Sequence, residues 1–103
     1  MDQEFFKELL RIDSTSGKER KVAEWLAERL PGMFPAANRP GLRAEEVGDR
    51  TLNLLLTWGA PRIVFCSHLD TVPPYIPPTS ADDVIKGRGS CDAKGQVFVI
   101  VEA

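Results

Sequence analysis

The chain has 103 residues, 43% hydrophobic and 27% charged, which is the composition of one ordinary globular domain. Its 13 basic and 15 acidic residues give a net charge of −2, so charge gives no reason to expect nucleic acid or an anionic membrane as a partner. No apolar run approaches the roughly 20 residues that span a bilayer, and the acidic, amphipathic N-terminus is not a secretory signal. With only two cysteines, Cys66 and Cys91, these features predict a cytoplasmic protein with free thiols.

Two amphipathic helices are predicted first. Residues 3–11 carry apolar side chains at the spacing of one helical face: Phe5, Phe6, Leu9 and Leu10. After a break, Ser16 and Glu19 have the spacing of a capping box, which predicts the start of a second helix that ends near Leu30. The side chains predicted on its buried side are Val22, Trp25, Leu26 and Leu30.

A loop and a hairpin are predicted next. Residues 33–41 are rich in turn formers and read as a loop. Residues 42–47 and 51–58 are predicted strands, which pair as a hairpin through a turn at residues 48–50.

The second half alternates short strands and loops. Residues 63–66 are apolar throughout, which favours a strand buried on both faces in an α/β sheet. Residues 73–83 contain four prolines and are predicted as an extended loop, followed by a short strand at residues 84–86. Residues 97–101 favour a strand by local propensity.

His68 is the only histidine, and it lies two residues before Asp70 on a segment predicted to be extended. An imidazole beside a carboxylate suits a metal site, because one ring nitrogen binds the metal while the carboxylate accepts a hydrogen bond from the other ring N–H and fixes the tautomer. On spacing alone a histidine that merely precedes a turn stays the more frequent explanation.

Asp92 follows a glycine-rich turn at residues 87–89, which lets the backbone approach another group closely. The residue pattern alone is equally consistent with a surface turn capped by an aspartate. Lys94 reads as no more than a polar start of a helix.

Together these segments resemble the motif pair of a metallohydrolase family. Residues 67–73 read Ser-His-Leu-Asp-Thr-Val-Pro, and residues 87–95 read Gly-Arg-Gly-Ser-Cys-Asp-Ala-Lys-Gly. They are similar to the H-x-D-x-V-P and G-R-G-x-x-D-x-K-G motifs of the family that includes aminoacylase, acetylornithine deacetylase, succinyl-diaminopimelate desuccinylase and carboxypeptidase G. The D-S-T-S-G-x-E turn at residues 13–19 and Asn53 fit as well, so the resemblance covers nearly the whole chain.

The resemblance implies an α/β fold that is a truncated part of a three-layer α/β/α zinc-peptidase-like catalytic domain. That domain would have a mixed sheet and N-terminal helices. Residues 1–103 would be the N-terminal portion of that domain, without its remainder and without the dimerisation domain. His68 would bind one zinc, Asp92 would bridge two, and Asp70 would orient His68. It also implies a cis peptide bond between Asp92 and Ala93 and a buried helix over residues 94–103, against local propensity.

The implied activity is zinc-dependent hydrolysis of N-acyl amino acids or small peptides, in a homodimer formed through the missing domain. Zn2+ would be the cofactor, two ions per complete site, with Co2+ as an alternative. The family's catalytic glutamate and its other metal ligands come later in sequence, and this chain has no second histidine. We therefore expect weak or absent zinc binding and no turnover by the isolated chain. Glu45 and Glu46 are predicted to be a solvated pair rather than the missing glutamates.

Alternatives remain at this stage. The chain departs from the family's usual pattern at Ala93 and Gln96, and the second of these puts close backbone packing there in doubt. A zinc site of Cys66, His68 and Cys91 is conceivable, although small buried thiols are the simpler explanation. A non-enzymatic binding or regulatory module on the same scaffold, or a coincidental motif match, is also compatible with the sequence.

Overall fold

The computed structural model describes residues 2–48 and 51–103. Its helices and strands follow the chain in this order: α1 at Gln3–Arg11, α2 at Arg20–Arg29, β1 at Gly41–Val47, β2 at Thr51–Thr57, β3 at Thr79–Ala81, β4 at Val84–Lys86 and α3 at Lys94–Glu102. A short 3-10 turn at Leu30–Met33 directly follows α2, and a second one at Ala36–Asn38 lies in the region predicted as a loop. None of the helices in these described ranges is long and apolar enough to cross a membrane.

The core lies where α1 packs between α2 and α3. Phe5 on α1 stacks on Trp25 of α2, with ring centroids 5.6 Å apart, and its other neighbour is Phe98 of α3 at 6.3 Å. The remaining members of this cluster are buried aliphatic side chains of the two N-terminal helices: Leu9, Val22, Leu26 and Leu30. The apolar faces predicted for both helices are therefore confirmed, with Trp25 only partly buried.

The capping box predicted for α2 is wrong. Glu19 occupies the N-cap position without a side-chain capping bond, and its carboxylate instead accepts a hydrogen bond from the backbone N–H of Gly17 at 2.9 Å. The Ser16 hydroxyl donates to the Asp70 carboxylate at 3.3 Å. Ser16 is therefore used for a contact between segments, which takes it away from the end of its own helix.

The β1–β2 hairpin is confirmed. The two strands are antiparallel, with Gly41 opposite Thr57 and Val47 opposite Thr51. Part of the predicted turn, Asp49 and Arg50, lies outside the described residues. On β2 the side chains alternate, because Leu54 and Leu56 pack against the helical core while Leu55 is 48% exposed.

The Glu45–Glu46 pair on β1 is solvated, as predicted. Both side chains are exposed, and Arg20 at the start of α2 makes two contacts of 2.7 Å with the Glu46 carboxylate. These two charges tie the hairpin to α2 at the surface, where such pairs contribute little to stability.

A second small sheet was not predicted. The strand at residues 84–86 is confirmed, but its partner β3 lies inside the segment that was predicted as an extended loop. Asp82 and Asp83 make the two-residue turn between them with positive φ angles of 51° and 62°. Aspartate tolerates this conformation better than most residues, so a hairpin signal was present in the sequence and was missed.

The prediction of a buried strand at residues 63–66 is wrong. The segment belongs to no described strand, and Ile63, Val64 and Phe65 are 74%, 80% and 71% exposed. A strand of this kind is buried only when neighbouring strands cover its edges and helices cover its faces. Within the described ranges no strand is paired with it.

The α/β class is confirmed, whereas the mixed sheet differs from what the structure shows. The described strands form two separate antiparallel pairs, and the parallel element is a single bridge between Thr15 and Thr71. The three-layer arrangement, and the assignment of residues 1–103 to the N-terminal portion of a larger catalytic domain, stay predictions.

The helix predicted at residues 94–103 is confirmed against its local β-propensity, as α3. Phe98 is buried between α1 and α3, with its ring 4.8 Å from that of Phe6. Val99 on another face of α3 is 58% exposed, so the helix is only partly buried. Contact with α1, rather than intrinsic propensity, therefore supports the helical state of this apolar segment.

We expect Leu26→Ala to lower the free energy of unfolding by about 2–5 kcal/mol, because it leaves a cavity among α1, α2 and β2. The matched control is Leu55→Ala on the solvent side of β2, for which we expect a loss below about 1 kcal/mol. Urea unfolding followed by circular dichroism measures both values. Equal losses in the two variants would contradict the described core.

Candidate metal site

The connection between α1 and α2 holds the segment that follows His68. The Ser14 hydroxyl donates to the carbonyl oxygen of Leu69 at 2.7 Å, and the Thr71 N–H donates to the Ser14 carbonyl at 2.9 Å. The Ser16 N–H donates to the Thr71 carbonyl at 3.0 Å. Ser14 is fully buried and Thr71 is 3% exposed, so these backbone contacts are shielded from water. The chain around Asp70 is thereby fixed at both ends.

His68 and Asp70 lie next to each other, as expected from the resemblance. The imidazole Nδ1 is 3.0 Å from the Asp70 carbonyl oxygen and 3.1 Å from its Oδ1. Because both neighbours are acceptors, Nδ1 carries the proton and Nε2 is directed away from Asp70. This arrangement gives the imidazole a defined orientation.

The structure also brings together His68 and Asp92, which are 24 residues apart in sequence. The imidazole Nε2 is 3.0 Å from Oδ1 of Asp92. Desolvation lowers the pKa of His68, but the Asp70 carbonyl, the Asp92 carboxylate and the charges of both aspartates outweigh it, so the net pKa lies above its ordinary value. With both ring nitrogens facing oxygen atoms, the geometry suits a doubly protonated ring.

The turn before α3 places Asp92. The Asp92–Ala93 peptide bond is cis, as predicted. Gly95 is required at the first turn of α3, because a Cβ there would lie 2.3 Å from the Ser90 carbonyl oxygen. Gly89 has φ of +89° and lies against both Thr71 and Lys94, where an added Cβ would come within 3.0 Å and 3.2 Å of their side chains. The close backbone packing that was in doubt because of Gln96 is therefore present at Gly95, one residue earlier.

Lys94 is a buried cation that the sequence reading treated as a polar helix start. Its side chain is 1% exposed, and Nζ donates to the carbonyl oxygen of Ile12 at 2.6 Å. Burial lowers the pKa of Lys94 to about 8, against an opposing effect of the Asp13 charge. The α1–α2 connection therefore contacts both halves of the site, through Ser14 on the His68 side and through Ile12 on the Asp92 side.

Tyr75 is a further supporting residue that sequence reasoning missed. Its hydroxyl lies 2.8 Å from the Arg11 carbonyl oxygen and 3.3 Å from that of Leu10, and it donates to them at the C-terminal end of α1. Carbonyls in the last turn of a helix lack partners within the helix, so Tyr75 and Lys94 together cap α1 from distant parts of the chain. A lone tyrosine in a proline-rich segment and a lysine that begins an apolar helix were the available signals.

The alternative zinc site of two cysteines and His68 is not formed. Both Cys66 and Cys91 are free and exposed, contrary to the expectation of buried thiols. In the part of the chain that the structure describes, no group of three or more histidine, cysteine, aspartate or glutamate residues is placed to hold a metal ion. The cysteines instead line an open apolar cavity of about 680 Å³ beside α3.

His68 and Asp92 nevertheless fit one side of a metal site. Imidazole nitrogen and carboxylate oxygen are ligands that zinc accepts, and two donors on one tetrahedral zinc stand roughly 3.3 Å apart. The observed separation of Nε2 and Oδ1 is 3.0 Å. A metal ion bound there would take the place of the proton on Nε2. These two residues are fewer than the three or four protein ligands of a complete zinc site.

Known proteins similar to this chain carry hydrolase names. The chain is 40% identical to a probable carboxypeptidase of Aspergillus terreus, over 96% of this chain and 25% of that protein. It is 37% identical to a putative [LysW]-lysine/[LysW]-ornithine hydrolase of Pyrococcus abyssi, over 96% of this chain and 27% of that protein. It is 34% identical to a peptidase M20 domain-containing protein of Schizosaccharomyces pombe, over 93% of this chain and 25% of that protein.

These likenesses support the M20 peptidase family and a hydrolase or peptidase activity within that family. The chain spans about a quarter of the length of the curated relatives that it matches. No family model matches the chain. No solved structure matches it.

Stability should fall in acid partly through Asp13, whose carboxylate shapes the α1–α2 connection. Hydrogen bonds from the backbone and side chain of Thr15 lower the pKa of Asp13 despite an opposing effect of burial, with a further contribution from Lys18. Because the folded pKa is depressed, the carboxylate stabilises the fold above its ordinary pKa of about 3.9, and this contribution is lost as pH falls through the folded value.

We therefore expect Asp13→Asn to flatten the decline of melting temperature between neutral pH and strong acid. Asp83→Asn, in the exposed β3–β4 turn, is the control and should keep the wild-type slope. Melting curves at a series of pH values measure both, and an unchanged slope in Asp13→Asn would contradict the role of this carboxylate.

Proposed function

We propose that this chain is the N-terminal part of a zinc-dependent amide hydrolase of the M20 peptidase family, with His68 and Asp92 as ligands in a two-zinc site. The observation that carries the proposal is the 3.0 Å contact between His68 Nε2 and Asp92 Oδ1, two residues that are 24 positions apart in sequence. Two polar side chains that meet at an exposed surface contribute little to folding, so their convergence favours a ligand-binding role.

Each of the three site residues would have a separate role. His68 would be a ligand to one zinc ion, and Asp92 would be a ligand shared by both. Asp70 acts through His68, since its carbonyl and carboxylate oxygens accept a hydrogen bond from the Nδ1–H and keep the ring turned toward Asp92. When bound, a zinc pair supplies an activated water molecule and polarises a carbonyl group.

An acyl–amino-acid or peptide bond is the substrate class that we propose. The names of the relatives describe a carboxypeptidase and a hydrolase of a lysine or ornithine conjugate, which are reactions at a carbon–nitrogen amide bond. An acetylornithine-deacetylase-like deacylase is our lead within this class, acting on N-acyl amino acids or small peptides. We further propose a cytoplasmic homodimer for the whole enzyme, with Co2+ able to replace Zn2+.

The isolated chain should bind zinc weakly and show no turnover, because it offers one imidazole and one shared carboxylate. Calorimetric titration with Zn2+ tests this expectation. His68→Asn and Asp92→Asn should each abolish the residual binding, whereas Asp83→Asn on the β3–β4 turn should leave it unchanged. Tight binding of two zinc ions per chain would contradict the expectation that the isolated chain holds only part of the metal site. Residual binding that survives both substitutions would contradict the assignment of His68 and Asp92 as ligands.

The catalytic role can be tested in a chimera. Residues 1–103 would replace the matching 27% of the Pyrococcus abyssi hydrolase, and release of lysine from its [LysW]-lysine conjugate would be assayed. We expect activity in the chimera, and a loss of at least about 100-fold with either His68→Asn or Asp92→Asn, since each removes a metal ligand.

The control in the chimera is again Asp83→Asn, which should keep full activity. An active chimera that tolerates His68→Asn would overturn the proposed site. Retention of folded structure and zinc binding without any hydrolysis would favour the alternative of a non-enzymatic binding module.

A further inference from the structure

We propose that Lys94 and Ser14 are positioning residues that set the distance between His68 and Asp92 by holding both to the α1–α2 connection. This inference rests on the proposed function, because it concerns the geometry of the same site. Among the described residues, the Ser14 hydroxyl is hydrogen-bonded to Leu69 and the Lys94 ammonium group to Ile12, so each acts on the backbone and not directly on His68 or Asp92.

Two independent contacts converge on the connection at Ile12 and Ser14, which are two residues apart. On one side, the Ser14 hydroxyl donates to the carbonyl oxygen of Leu69, the residue after His68, at 2.7 Å. On the other side, Lys94, two residues after Asp92, donates from Nζ to the Ile12 carbonyl at 2.6 Å. The connection therefore relates two segments whose motifs lie far apart in sequence.

Gly89 completes the link between the two sides. Its Cα position faces the Thr71 methyl group and the Lys94 side chain, and an added Cβ would lie 3.0 Å from the first and 3.2 Å from the second. Thr71 is itself bonded through its backbone to Ser14 and Ser16. A shift of Lys94 would therefore be transmitted to the His68 segment through packing as well as through the connection.

Stability alone does not account for a lysine at this position. Burying an ammonium group carries a desolvation penalty that an apolar side chain of similar volume does not incur. Lys94 is 1% exposed, and a methionine of similar length would fill the same space. What methionine lacks is a directional bond to the Ile12 carbonyl, and loss of that bond is the difference that the test isolates.

The decisive variant is Lys94→Met in the chain as it stands, with Lys86→Met on exposed β4 as the matched control. The first readout needs no metal: the 15N and 1H chemical shifts of the His68 imidazole report its contact with Asp92. We expect Lys94→Met to remain folded and to move the His68 signals toward those of Asp92→Asn. Lys86→Met should leave them unchanged.

The second readout is the affinity for Zn2+, followed by the same signals during titration. We expect Lys94→Met to weaken binding by about 10–100-fold, as loss of a residue that orients a ligand does. Ser14→Ala, which frees the Leu69 carbonyl, should move the His68 signals in the same way. If Lys94→Met does not fold, Ser14→Ala decides the question by itself.

A folded Lys94→Met or Ser14→Ala chain with wild-type His68 signals would overturn the inference. The proposed function fails differently: in that case an active chimera keeps its hydrolysis after His68→Asn or Asp92→Asn. The signals of the metal-free chain would still report whether Lys94 and Ser14 fix the contact between His68 and Asp92.

Discussion

A buried ammonium group held on a single backbone carbonyl connects the two halves of this protein. The bond from Lys94 to Ile12 joins the start of the last helix to the end of the first, across 82 positions of sequence. Hydrogen bonds to charged groups contribute more than neutral ones, about 1.5–3 kcal/mol against about 1 kcal/mol. The carbonyl would otherwise be an unsatisfied acceptor at a helix C-terminus. One contact thus completes α1, anchors α3 and fixes the turn that carries Asp92.

In the rest of the site, the residues that fix the backbone are buried, and the side chains of His68 and Asp92 are exposed. Ser14, Thr15 and Thr71 are buried or nearly so, and their hydrogen bonds fix the backbone. His68 and Asp92 are exposed at the surface, where their contact is open to solvent. Groups that bind a ligand must be accessible, and rigid backbone beneath them limits the entropy that is lost when the ligand binds. The buried hydrogen bonds lie one layer below His68 and Asp92, whose side chains stay accessible.

Local patterns predicted the elements that a single segment specifies. The α1 and α2 faces and the β1–β2 hairpin depend on periodicity within a short stretch, and all three are present. The helical state of α3 could not be predicted from its own residues, because valine and isoleucine favour strands. The helix was predicted from the family resemblance of the segment that contains Asp92. The failure of the capping box at Ser16 has the opposite cause, since a tertiary partner, Asp70, takes up that hydroxyl.

The two motifs of the site could be predicted from the sequence, but the residues that hold His68 and Asp92 in position could not. Spacing identified His68 and Asp92 as candidates, and the resemblance assigned their roles. The support from Lys94, Tyr75 and Ser14 depends on contacts between residues more than 50 positions apart, which no periodicity reveals.

The exposed apolar segment at residues 63–65 has a consequence for how this polypeptide behaves in a cell. Its three bulky side chains are each more than 70% exposed, and its backbone is in no described strand. Such a stretch is a template for intermolecular β-pairing. Production of this chain at high concentration therefore favours aggregation, and a charged residue at Val64 would act as a gatekeeper that keeps the chain monomeric.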